Sequence, residues 1–247
     1  FKPVIKLVPI RGLILSQSPL VPIIFEENTY SDRVVAKIEQ LSKDKIVKAV
    51  IFEINSPGGS VYASREIEKA IKSLRKVSIA LIREIGTSGA YLIASACTEI
   101  VSDSLSQVGG LGTAIERIDY SKMLEKLGVK IERISTGKYK EIGSPFKKMT
   151  KGEREFLKRQ TRIANQEIME EIKINRGIKK ESILENLISG KPYLGKEALE
   201  LGLVDFLGNR TTAIEVAEKL TGEKLRLEEE SLKGRFSLFD VMRVIPK

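Results

Sequence analysis

The 247-residue sequence contains no histidine. Without an imidazole there can be no Ser-His-Asp triad, no Cys-His dyad and no His-ligated zinc site. A nucleophilic hydrolase made from this chain needs another base. Lysine is the usual substitute, because burial favours its neutral amine. Cysteine is nearly absent too. Cys97 stands alone, so no internal disulfide can form, which fits a reducing compartment. It lies in the apolar run AYLIASAC, the setting of a packed core thiol rather than of a reactive one. No run of about 18 apolar residues occurs, so no segment reads as a membrane-spanning helix. The first residue is Phe1, not methionine, so an N-terminal piece is expected to be missing. An anchor lost with that piece would place the protein at the cell membrane.

What is abundant is charge. Lys and Arg total 42 against 33 Asp and Glu, a net charge of +9. Such an excess can draw a protein to anionic membranes or nucleic acid. Here the signs are interspersed, as in KKMTKGEREFLKR, and no basic cluster carries interleaved aromatics. The pattern reads as a solvated surface, and no nucleic-acid partner is expected.

The length suits one α/β domain over residues 1–247, able to bury a core without disulfides or metals. PVIKLVPIRGLIL reads as strand material, with Pro9 and Gly12 marking a turn or strand edge. A loop, SQSPLVPIIFEENTYS, leads into a helix from Ser31 with apolar residues at Val34, Val35, Ile38 and Leu41. Strand–break–helix units follow. VKAVIFEI, NSPGGS and VYASREIEKAIKSL form one; VSIALIREI, GTSG and AYLIASAC form the next. A weaker one runs from EIVSD and SQVGGLGTAI to DYSKMLEKL, which stops at Gly128, and VKIERI reads as a further strand. This alternation implies a parallel sheet whose loops gather at the carboxyl ends of its strands. From about residue 150 the chain turns helical. Thr150 and Glu153 form a capping box opening a helix to about Asn175. Helices also read at Glu181–Ile188, Lys196–Leu201 and Thr211–Leu220, before a charged tail that turns apolar at FSLFDVMRVIP.

Ser88, in G-T-S-G-A, sits between a buried strand and an apolar helix. That is where a strand-to-helix turn can expose a nucleophile, with backbone N–H groups close by to receive an oxyanion. A serine there is more often a plain N-cap. Gly58 and Gly59 tip the balance, since they follow the preceding strand and bring a side-chain-free backbone beside Ser88. N–H groups of Gly59 and Gly89 would then form an oxyanion hole.

Four blocks carry a resemblance: INSPGGSVYAS, GTSGAYLIASAC, TGKYKEIGSPFKKMTKGER and GKEALELGLVD, in this order across roughly residues 50 to 205. Together they resemble the signal peptide peptidase A family. The resemblance implies a crotonase/ClpP-like fold of stacked ββα units with parallel strands and a helical C-terminal part. It implies Ser88 as nucleophile, Lys140 of the Gly137–Glu141 block as general base, and Gly59 in the oxyanion hole. Lys138 is too near in sequence for spacing alone to separate from Lys140. The family's T-G-S-I-G-V block differs here: Gly110 takes the place of a serine that helps orient the lysine, and Thr87, Thr113 or a water would have to substitute. The resemblance also implies remnant signal peptides, or other hydrophobic peptides, as substrates, and a ring-like homo-oligomer in which adjacent protomers supply Ser88 and Lys140. No metal or cofactor is implied. Two rivals use the same fold: a crotonase-type acyl-CoA enzyme, which would not need Ser88, and a non-catalytic membrane scaffold.

Overall fold

The computed structural model describes residues 2–17, 28–179, 187 and 189–232. These fall into two compact units, one formed by residues up to Leu111 with those from Glu171 onward, the other by Gly112–Glu170.

The first unit is built on a parallel sheet. β1 (Val4–Leu15), β2 (Thr29–Tyr30), β3 (Val47–Gly59), β4 (Val77–Thr87), β5 (Glu99–Ser102) and β8 (Phe206–Leu207) lie in the order β2-β1-β3-β4-β5-β8. β6 (Gln107–Gly109) pairs with the end of β4, β7 (Pro192–Leu194) runs antiparallel to β6, and β9 (Arg226–Glu229) pairs with β1. Three helices connect the strands: α1 (Ser31–Lys43), α2 (Val61–Ser73) and α3 (Gly89–Ser95). Residues Val34, Ile38 and Leu41 of α1 are buried, as their helical spacing requires. On one sheet face, Ile5, Leu7, Ile51, Ile79 and Leu81 pack against Ala213, Val216 and Ala217 of α7 (Arg210–Thr221), the helix that follows α6 (Gly195–Glu200).

Two sequence expectations change here. Pro9 and Gly12 do not end β1. The N–H groups of Arg11 and Leu13 turn away from β3, to Thr29 Oγ1 and Asn28 Oδ1. Residues of the same parity point the same way, so the Pro9 nitrogen faces the gap between β9, which pairs Val4–Leu7, and β2, which pairs Ile14–Leu15. A missing donor costs nothing there. Gly12, at φ 61, is absorbed as a bulge where the register shifts between Arg11 and Leu13. Likewise NSPGG does not break the strand, because β3 runs on to Gly59 paired with Ile14. The expected helix Glu181–Ile188 and the FSLFDVMRVIP tail lie outside the described residues, apart from Leu187.

Arg176 joins the C-terminal segments to one another, and Tyr91 joins them to α3. The Arg176 guanidinium holds Asp205 through two bonds of 3.0 and 2.6 Å and donates to the Gly202 carbonyl at 3.1 Å. The Tyr91 hydroxyl of α3 donates to the Leu203 carbonyl at 2.8 Å. Cys97 is buried, and burial pushes its thiol up to about 12, as befits an inert core residue.

The second unit holds α4 (Ser121–Lys126) and most of the helix α5 (Lys151–Arg176). The VKIERI segment is not a strand. Alternating β-branched residues favour an extended backbone, but a strand also needs a ladder partner, and no described strand lies in this unit. The capping box is present: Thr150 N–H donates to Glu153 Oε2 at 2.8 Å, and Glu153 N–H donates to Thr150 Oγ1 at 3.2 Å. The Lys147 ammonium and then the Thr150 N–H hold the Glu153 carboxyl down at about 2. A carboxylate depressed on folding stabilises above its ordinary range and loses that contribution as pH falls through the folded value. Glu153→Gln is therefore expected to lower the melting temperature at neutral pH, by the equivalent of about 1 kcal/mol. The gap should narrow as pH drops below about 4. A gap that is constant with pH would show that the charge contributes nothing.

Candidate active site

Ser88 joins β4 to α3 and is half-buried. Its backbone lies at φ 55, ψ −126, and it is the one non-glycine residue with positive φ among the described residues. An L-residue is held in such a conformation at a cost of order 1–3 kcal/mol, and only where its surroundings dictate it. Those surroundings are the end of the sheet: Ser88 N–H donates to the Gly109 carbonyl of β6 at 2.7 Å, and its own carbonyl accepts from Tyr91 and Leu92. The position is that of an N-cap, yet the Ser88 side chain makes no capping bond. Its hydroxyl is therefore not committed to closing the helix.

The glycine loop lies directly alongside. A Cβ at Gly58 would stand 2.8 Å from the Gly89 nitrogen and 2.9 Å from Ser88 Cβ, so only glycine permits this approach. A Cβ at Gly59 would fall on the Ile14 backbone. Three hydroxyls fix the loop. Ser56 Oγ donates to the Gly12 carbonyl at 2.6 Å and accepts from Gly58 N–H at 3.1 Å. Thr87 Oγ1 donates to the Pro57 carbonyl at 3.2 Å, joining the two loops. Ser64 of α2 is buried with its Oγ where a Gly89 Cβ would be.

The two proposed oxyanion donors come together in this frame. Ser60 N–H donates to Ile14 O at 2.8 Å. Successive N–H groups of a strand alternate in direction, so that of Gly59 points away from β1. A Cβ on Gly89 would lie 3.6 Å from the Gly59 nitrogen. Gly89 is the first residue of α3, and its N–H has no acceptor within the helix. The structure thus gathers Ser88, Gly59 and Gly89 in one unit. Sequence reasoning gives Thr87 only as a candidate to orient the lysine and does not reach Ser56 or Ser64; a serine after a strand or in the first turn of a helix carries no signal that separates it from ordinary capping.

Gly110, at φ 55, stands beside Thr87: a Cβ there would be 3.2 Å from Thr87 Cβ. Thr113, in the second unit, donates its hydroxyl to the Thr161 carbonyl at 2.7 Å. Lys140 is also in the second unit, exposed, on a turn closed by its N–H to the Gly137 carbonyl at 3.2 Å. The Lys138 ammonium lies over the Tyr139 ring at 5.6 Å, and that ring stacks on Phe156 at 5.4 Å.

A parallel sheet whose consecutive strand-to-helix turns stack a glycine loop against a strained serine defines an α/β protein of the ClpP-like class. A mutant of the 1510-N membrane-bound stomatin-specific protease has this fold, with a TM-score of 0.59 over 94% of this chain and 99% of that one at 14% identity. The family profile of peptidase family S49 matches residues 70–224, and the chain belongs to that family. Ser88 and Lys140 fall within the match; Gly59 precedes it. Among relatives, a provisionally named protease of Methanocaldococcus jannaschii is 32% identical over 207 residues, covering 81% of this chain. The chloroplastic serine protease SPPA of Arabidopsis thaliana is 30% identical over 192 residues, covering 76%. The chain spans 66% of the first relative's length and 28% of the second's.

Proposed function

We propose that this chain is the catalytic part of a membrane-associated serine endopeptidase that degrades remnant signal peptides or similar hydrophobic peptides through a Ser88–Lys140 dyad. The free amine of Lys140 takes the Ser88 hydroxyl proton as Oγ attacks the peptide carbonyl. The negative charge that develops on the carbonyl oxygen is received by the N–H groups of Gly59 and Gly89. Collapse of the tetrahedral intermediate breaks the C–N bond, Lys140 returns the proton to the leaving amine, and the acyl group stays on Ser88. Water, deprotonated by the same amine, then releases the acid.

One observation carries this reading: a non-glycine residue held at positive φ whose hydroxyl makes no capping bond, placed against a glycine loop. Membership of a peptidase family supports the reaction class. Among the described residues no helix is long and apolar enough to cross a membrane. The exposure of Lys140 in the single chain favours a site finished by assembly, in a ring-like homo-oligomer where one protomer supplies Ser88 and its neighbour Lys140. Mixing inactive Ser88→Ala and Lys140→Ala protomers should then restore part of the peptidase activity, because some interfaces carry both intact residues. Mixed oligomers that stay inactive would rule out a shared site.

A further inference from the structure

Lys140 sits on a short run of turns in the second unit. Lys140 N–H donates to the Gly137 carbonyl at 3.2 Å, Ile142 N–H to Tyr139 at 3.1 Å and Ser144 N–H to Glu141 at 3.1 Å. Side chains of the same unit hold this run from outside. The Tyr139 ring stacks on Phe156, and Arg133 Nε reaches Glu141 at 3.4 Å. At the far end stands Arg117. Its Nε donates to the Ser144 carbonyl at 2.9 Å, and its Nη2 donates both to that carbonyl and to the Lys147 carbonyl. Tyr120 N–H donates to the Pro145 carbonyl between them at 2.7 Å. Lys147 is held in turn by Glu153 of the α5 capping box.

The Arg117 side chain is only 13% exposed, while its carboxylate neighbour, Asp119, lies 3.5 Å off and is 38% exposed. Taking a guanidinium out of water is costly unless its donors are satisfied. Here the nearest acceptors are main-chain carbonyls, not a carboxylate. A planar fork of donors can hold two carbonyls from one fixed direction, which a point-like ammonium cannot do as well. Ser144 and Lys147 are thereby pinned, and the turns bonded back to Ser144 inherit that position. The Lys140 amine rides on a flexible stem, so the backbone beneath it is what the fold can set in advance. Misplacing a catalytic group by about 1 Å can cost about 100-fold in rate.

We infer that Arg117 is a positioning residue for the base: through the Ser144 and Lys147 carbonyls it sets the backbone that carries Lys140. This rests on the assignment of Lys140 as the base.

The test places Arg117→Ala, Arg117→Gln and Arg117→Lys beside Lys140→Ala, each as the assembled full chain. Arg117→Ala should lower kcat about 10- to 100-fold and leave KM within about twofold, because the peptide-binding surface is untouched while the base is displaced. Arg117→Lys should recover part of the loss, and Arg117→Gln less. Guanidinium ion, added well below denaturing concentrations, should restore part of the Arg117→Ala activity and none of the Lys140→Ala activity. Thermal melts check that each variant is folded, and the lysine variant serves if the alanine variant is not. A folded Arg117→Ala protein with wild-type kcat, beside an inactive Lys140→Ala protein, overturns the inference and leaves the base in place. A loss that falls on KM, or that neither lysine nor guanidinium recovers, shows a structural arginine and overturns it too. A Lys140→Ala protein that cleaves at the wild-type rate removes the base and the inference together.

Discussion

Ser88→Ala is expected to reduce peptide cleavage at least about 1,000-fold, because loss of the nucleophile removes the acyl-enzyme route altogether. The same variant should fold and assemble normally. Its parent makes no capping bond, so no cap is lost, and the melting point should stay within the equivalent of about 0.5 kcal/mol. Ser88→Gly sharpens the point. Glycine relieves the cost of holding φ at 55, against an entropic penalty of roughly 0.5–1 kcal/mol, so this inactive variant should be at least as stable as the wild type. A residue kept where glycine would serve stability equally well is kept for its hydroxyl. A Ser88→Ala protein that cleaves at near wild-type rate, or a Ser88→Gly protein that is strongly destabilised, would show Ser88 to be structural.

The second large effect concerns the base. Lys140→Ala should lower kcat by about 100- to 10,000-fold, the range for removing a positioned general base. Lys138→Ala should fall within a few-fold of the wild type. The two lysines differ in their surroundings: the Lys138 ammonium is engaged over the Tyr139 ring, while Lys140 projects from an exposed turn. The assays of the two variants, run side by side on the assembled protein, decide the assignment. A dead Lys138→Ala enzyme beside an active Lys140→Ala enzyme would reverse it.

Much of the sheet could be read directly from the sequence. The apolar runs of β3 and β4 are short, β-branched and bounded by glycine, and α1 and α2 carry their apolar residues at helical spacing, so local pattern and tertiary position agree. The failures have physical causes. Pro9 reads as a turn or a strand edge because proline lacks a donor, and only the placement of β2 and β9 shows that the strand runs on with the Pro9 nitrogen in the unpaired gap between them. VKIERI has the alternation of a strand but no partner among the described residues, and partners are a property of the fold. β9, RLEE, is short and charged, and it becomes a strand only because β1 offers an edge for it. At the site, Ser88 and the glycines could be read because glycine spacing constrains the backbone directly. The ion pairs of Glu53 could not. Arg11, Arg83 and Arg210 share no local pattern, and they meet Glu53 only through the register of β1 with β3 and β3 with β4 and the packing of α7 on the sheet.

If Ser88 is the nucleophile, its hydroxyl can be acylated or phosphonylated. Incubating the assembled protein with a fluorophosphonate and locating the adduct by peptide mass spectrometry addresses it directly. A single adduct on Ser88, absent from Ser88→Ala, is the result expected. Peptide cleavage that continues while Ser88 remains unlabelled, or an adduct on another residue that tracks loss of activity, would contradict it.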